Sequence, residues 1–417
     1  MPPISHPALP RMKSAINVKL GLMMFLQFFI WGAWYTSIAV YMTAQGMGSL
    51  THWPYTVNPV AAIVAPFFLG LVADRYFATE KVLSFLHLAG GVLLLLAPQL
   101  TGNPTVFILA LLGYNLCYMP TLGLSNSLAF HHITDQEKQF PRIRVFGTLG
   151  WIVAGLGISF VLTRVMGRTA EATAAPLYTA GIASLILGVF CLTLPHTPPS
   201  AKGQRVSFGS ILGIDAFREL GSWPFYVFLL SSFLICIPLA AYYNFTQLFL
   251  GAAGVNNIAA VQTIGQMSEV GFMLVMPFFF ARLGVKWMLL VGMLAWAVRY
   301  ALFALGAPEQ VQWMVVIGIA LHGVCYDFFF VTGQIYVDKK SSPRVRGQAQ
   351  GMLVLVTYGV GMLIGAQIAG VTYNGFLRGA TALTPQQWQS FWWLPAGFAA
   401  GVMVLFALLF REKAAAK

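Results

Sequence analysis

Charge is what this chain has least of. Only 9% of its 417 residues are Asp, Glu, Lys or Arg, and only twelve are acidic, whereas soluble domains carry about 25% charged residues. That deficit excludes a water-soluble enzyme or binding module. Cysteine is scarce as well: Cys117, Cys191, Cys236 and Cys325 all fall in apolar runs without metal-ligand spacing, so neither a disulfide framework nor a metal site is expected. The embedded polar residues form no nucleophile–base set and no H-E-x-x-H pattern, so no catalytic residue and no cofactor is expected. Short alternating segments are also missing, which argues against a membrane β-barrel.

What is present is apolar length. Hydrophobic residues make up 58% of the chain and mean hydropathy is +0.75. A helix rising 1.5 Å per residue needs about 20 apolar residues to cross a bilayer core of about 30 Å. Twelve such runs are read, at 18–42, 52–74, 80–101, 104–128, 142–165, 175–195, 224–250, 258–282, 284–306, 311–336, 344–370 and 390–411. The expected class is an all-α polytopic membrane protein.

Basic residues set the orientation, because loops rich in Lys and Arg stay cytoplasmic. Arg11, Lys13 and Lys19 precede the first span, Arg75 and Lys81 follow the second, and Lys339, Lys340, Arg344 and Arg346 follow the tenth. Both termini are therefore expected inside. The net charge of +12 is then topological, with affinity for anionic lipid headgroups, and no nucleic-acid partner is implied. The first run is too long for a signal-peptide core. MPPISHPALPR reads as an extension, with Met12 an alternative start.

The chain carries an internal repeat. PRIRVFGTLG at Pro141 is echoed by PRVRGQAQGM at Pro343, APFFLGLVADR around Pro66 by MPFFFARLGVK around Pro277, and Cys117-Tyr118 by Cys325-Tyr326. His196 to Ser222 is the one long polar interruption, within which ILGIDAFREL is expected as a short amphipathic helix. The expected organisation is an extension at 1–17, six helices in 18–195, a cytoplasmic linker at 196–222, six helices in 223–411 and a tail at 412–417. That is the major facilitator layout. GLVADR from Gly70 resembles the G-x-x-x-D-R signature of that superfamily, with Gly70 allowing close approach and Asp74 and Arg75 at the interface between moving halves; an ordinary capped turn is the plainer reading.

Two acids lie deep. Glu269 and Asp327 sit far from the ends of their spans, while the other ten acids fall in loops, tails or span ends. A charge at the bilayer centre costs about 2.5 to 3.5 kcal/mol on insertion scales, and desolvation favours the protonated carboxylic acid. Both are proton-coupling candidates; a fixed salt bridge is the alternative. Gln266 and Glu269 share one helix face, as do Arg144, Thr148 and Trp151, while His322 and Tyr326 repeat the four-residue spacing beside Asp327. Aromatics that sandwich a ring, with an amide and a carboxylate for hydroxyls or ring NH groups, suit a small, neutral, hydroxyl-rich ligand. Trp31, Trp34 and Tyr35 read as packing, Arg299 as a structural ion pair or carbonyl cap, and His131 and His132 as solvated loop residues. The glycines from Tyr358 onward read as close-packing positions.

FLQFFIWGAWYTSI from Phe25, YMPTLGLSNS from Tyr118, PRIRVFGTLGW from Pro141, GQMSEVGF from Gly265 and DFFFVTGQIYV from Asp327 resemble the nucleoside:proton symporter family, the bacterial nucleoside permeases. The resemblance runs from about Lys19 to Arg411. It implies a monomeric, multi-pass protein of the bacterial cytoplasmic (inner) membrane that imports a nucleoside with protons by alternating access. Family binding positions carry over as Arg144, Thr148, Gln266 and Glu269, with Trp151 and Tyr326 where the pattern has aromatics and Asp327 where it has an acid. Two departures bear on the substrate: His322 replaces a family tyrosine, and AAYYNFTQLFL from Ala240 lacks a Gln and Asn pair, offering Tyr243 near one of those places. A carrier of a sugar, polyol or other small polar solute, with or without proton coupling, is the alternative.

Overall fold

The computed structural model describes residues 10–68, 76–134, 136–199, 209, 212–342 and 344–411. Among them every regular element is helical, and nine helices are long and apolar enough to cross a membrane. Local chemistry sets their ends. Asn103 accepts from the Thr105 and Val106 amides ahead of Pro104 and starts the helix Pro104–His132, because a side-chain acceptor and an N1 proline both suit a first turn. Thr384 and Gln387 form a reciprocal capping box at the start of Pro385–Leu409. Residues Ile258–Gly306 form one 49-residue helical run broken at Gly284, whose φ of 66° and ψ of 177° no side chain tolerates well. That break divides the expected runs 258–282 and 284–306.

Large apolar side chains such as Phe85, Leu109, Ile182, Leu274 and Val371 point outward, as lipid contact requires. Buried apolar side chains fall into two main clusters, one drawn from Leu20 to Leu194 with Ala366, the other from Ala216 to Phe410. Within the second, the glycines behave as expected: a Cβ at Gly361 would lie 2.9 Å from the Cys236 Cβ, and one at Gly365 would lie 2.8 Å from the Ala240 Cβ. The interface signature Gly70, Asp74 and Arg75 lies outside the described residues.

Polar contacts join the two sets of helices at one end of the bundle, near the turns that follow the first, fifth, seventh and eleventh apolar runs. Gln367 donates to Thr56 Oγ1 at 2.7 Å, Asn374 to the Ser49 carbonyl at 3.0 Å, and the Tyr55 hydroxyl sits 2.9 Å from Gln247 Oε1. The Ala260 amide donates to Ser159 Oγ at 2.9 Å, and Ser159 donates onward to Glu171 Oε1 at 2.6 Å. This corrects the expectation that Glu171 is an ordinary loop acid, since it is 1% exposed. Such partners offset the cost of taking a carboxylate out of water.

Short links also tie down the linker. The helix Ile214–Glu219 forms inside the segment expected to be amphipathic. Glu219 accepts from the Ser342 amide at 2.9 Å, which holds its carboxyl below the usual carboxylate range. At the other linker end Glu80 accepts from the Thr197 amide at 3.0 Å and pairs with His196 Nδ1 at 2.9 Å. His132 is no loop residue: it ends the helix Pro104–His132 and lies 2.8 Å from Thr197 Oγ1. His131 stands beside it, exposed.

Candidate functional site: a polar and aromatic cavity between the two sets of helices

Glycines let the helices approach closely enough to assemble a site. A Cβ at Gly32 would lie 3.0 Å from the Trp151 ring, so the first helix presses directly on that indole. A Cβ at Gly147 would lie 2.7 Å from the Phe28 ring and 2.6 Å from Arg144 Nη1. The space it leaves lets Arg144 place its Cζ 3.9 Å over the Phe28 ring, a cation–π contact that gains strength out of water. Gly265 backs onto His322 at 3.1 Å, and Gly323 approaches Ser268, whose hydroxyl donates to the Ala320 carbonyl. These contacts bring Gln266 and Glu269 beside His322.

All eight side chains expected to bind substrate line one cavity. Arg144, Thr148 and Trp151 form one wall; Tyr243, Gln266, Glu269, His322 and Tyr326 form the other. The cavity volume is about 120 Å³, against about 10 to 15 Å³ for one ordered water, so the space is that of a small solute and not a packing defect. Glu269 Oε2 lies 3.9 Å from His322 Nε2. Among the described residues no lysine or arginine pairs with Glu269 within 4 Å, so the fixed salt bridge is not found. Arg144 is braced by Phe28 and acts on Glu269 through its charge, without a contact ion pair.

Asp327 stands apart. It is fully buried, is not among the cavity-lining residues, and neither carboxylate oxygen has a hydrogen-bond partner among the described residues. It opens a π-helical stretch, Asp327–Val331, and such bulges often mark functional sites. Its neighbour Tyr326 does reach the cavity and shares a 2.9 Å hydroxyl–hydroxyl contact with Tyr358.

Several lining residues escape the sequence reading. Trp31 and Tyr35, read there as packing, line the cavity, whereas Trp34 is buried and donates to the Tyr114 hydroxyl at 3.3 Å. Phe28, Asn58 and Tyr358 line it as well. Asn58 carried a usable signal, since an amide followed by proline interrupts an apolar run; its side chain donates to Asn115 Oδ1 at 2.9 Å. The Nδ1 of His322 has no hydrogen-bond partner among the described residues. Arg299 does cap a carbonyl, donating through Nε to Gly318 at 2.9 Å.

Known proteins resemble this chain in sequence and in fold. The family model described as Nucleoside H+ symporter matches residues 13–415. YegT of Escherichia coli strain K12 is 40% identical over 406 residues, covering 95% of this chain and 94% of that protein. Nucleoside permease NupG of the same strain is 30% identical over 415 residues, covering 95% and 96%. The crystal structure of nucleoside transporter NupG matches with a TM-score of 0.83 at 30% identity, covering 95% of this chain and 100% of that one.

Proposed function

We propose, for a chain that belongs to the nucleoside H+ symporter family, that the central cavity holds the nucleoside during proton-coupled uptake. The protein is a multi-pass inner-membrane transporter of major facilitator fold, and not an enzyme. The observation that supports the cavity assignment is convergence: a guanidinium, a hydroxyl and an indole from one helix, an amide and a carboxylate from a second, and further aromatic faces from others line one cavity.

In this reading Trp151 and Tyr326 stack on the ring system, Gln266 and Thr148 supply hydrogen bonds, and Arg144 offers donors that no acid consumes. Glu269 meets the ligand's donors. Glu269 and Asp327 carry the proton between them: Glu269 at the cavity, Asp327 in a site so dry that its charged form has no partner. Neutralising the acids lowers the cost of closing the cavity, and six helices in 18–195 rock against six in 223–411. The joined end of the bundle faces outward, both termini face the cytoplasm, and the transporter works as a monomer surrounded by lipid.

Uptake of radiolabelled uridine and adenosine into proteoliposomes tests this, with and without an inward proton gradient and with excess unlabelled nucleosides or sugars. Gradient-driven accumulation competed by nucleosides alone supports it. Competition by sugars, or accumulation indifferent to Glu269→Gln, rejects it.

A further inference from the structure

Arg299 has no part in that binding scheme, yet it is 0% exposed within the run Ile258–Gly306. A guanidinium kept from water is costly unless its charge and donors are met. One carbonyl bond to Gly318 offsets part of that. Among the described residues no acid lies within 4 Å of it and its two terminal nitrogens make no hydrogen bond. Its Cζ lies instead 4.2 Å over the ring of Tyr242, and a cation–π contact is strongest where it is desolvated.

Tyr242 passes that contact on. Its ring stacks on His322 at 5.7 Å between centroids and 17° between planes, and His322 presents Nε2 to Glu269 at 3.9 Å. With Nδ1 unpartnered, no hydrogen bond from behind fixes the imidazole. Ring contacts hold it: Tyr242 on one side, Tyr326 at 5.8 Å, and Tyr243 edge-on at 6.4 Å. A guanidinium, a phenol and an imidazole thus follow one another from the protein core to the carboxylate of the cavity.

We propose that Arg299 is a positioning residue for the binding cavity, pinning Tyr242 so that His322 holds one orientation toward Glu269 and the nucleoside. It sets affinity without touching the ligand. The proposal rests on the cavity being the nucleoside site, and the sequence departure at His322 gives it its specificity: with tyrosine there, the ring would bring its own hydroxyl and different reach, and the same brace would no longer govern the contact to Glu269.

A double-mutant cycle on nucleoside uptake, at matched amounts of monodisperse protein, tests it. Arg299→Met raises KM roughly tenfold with the maximal rate little changed, and in the His322→Tyr background the same substitution changes KM by less than about twofold. Tyr242→Leu reproduces the effect and does not add to Arg299→Met. Should Arg299→Met not fold, Arg299→Lys and Tyr242→Leu carry the cycle, with Lys retaining part of the affinity. Equal effects of Arg299→Met or Tyr242→Leu in both backgrounds overturn the proposal and leave Arg299 a core strut. If Glu269→Gln and His322→Tyr leave KM untouched, the cavity assignment falls and this proposal with it.

Discussion

Ser159 donates to the buried carboxylate of Glu171 at 2.6 Å while accepting the Ala260 amide at 2.9 Å from the opposite set of helices. The acid therefore steadies the hydroxyl that clasps the two sets together. The bond that crosses between the sets is the Ala260 amide to Ser159; a neutral hydrogen bond contributes about 0.5 to 1.5 kcal/mol, which shifts a closed–open equilibrium by roughly two- to tenfold. Glu171→Ala is expected to open this end of the bundle more often than Glu171→Gln, which keeps an acceptor. Labelling of Thr148→Cys by a membrane-impermeant thiol reagent from outside, in a background lacking the native cysteines, checks it; equal labelling in both variants refutes the clasp.

Glu269 meets no arginine or lysine within 4 Å among the described residues; the Arg144 charge acts on it across the cavity without touching it, so Glu269→Gln breaks no contact ion pair. Glu269→Gln is expected to fold normally, to lose accumulation driven by a proton gradient, and to keep part of its downhill exchange. Parallel counterflow and gradient-driven uptake separate the two activities.

At Asp327 stability and function pull in opposite directions. Its oxygens are buried without partners, and an unpaired polar group in a dry interior is destabilising. Asp327→Asn should leave the thermal unfolding midpoint unchanged or raised while uphill uptake is lost. A variant that unfolds earlier would show that Asp327 braces the helices instead.

The Tyr326 and Tyr358 hydroxyls lie 2.9 Å apart at the cavity wall. Tyr326→Phe keeps the ring face and removes the bond, a loss of about 0.5 to 1.5 kcal/mol. Nucleoside KM should rise roughly two- to tenfold, whereas Tyr326→Ala, which also loses the stacking face, should cost more. Concentration dependence of initial uptake rates measures both.

Gly365 sits where a Cβ would lie 2.8 Å from the Ala240 Cβ and 2.9 Å from the Cys236 carbonyl oxygen. Gly365→Val forces two helices apart, at a cost of about 1 to 3 kcal/mol for overpacking. The unfolding midpoint in detergent should fall by several degrees, with no such fall for Gly397→Val, where nothing stands within 4 Å.

The sequence by itself determined the properties that a single helix carries. Apolar length located the nine helices among the described residues that are long and apolar enough to cross a membrane, because the bilayer core has one thickness and a helix one rise per residue. Spacing put Arg144, Thr148 and Trp151 on one face and Gln266 and Glu269 on another, because helical periodicity is local. The cost of charge in oil singled out Glu269 and Asp327. Tertiary structure alone decided which residues meet. Trp31 and Trp34 are three apart in one apolar helix, yet one faces the cavity and the other Tyr114. Glu171 follows a span and looks like any loop acid until Ser159 and Ala260 close over it. Arg299 and His322 acquire a shared purpose only through Tyr242, a residue on a third helix. Such relations join side chains distant in sequence, and no local periodicity encodes them.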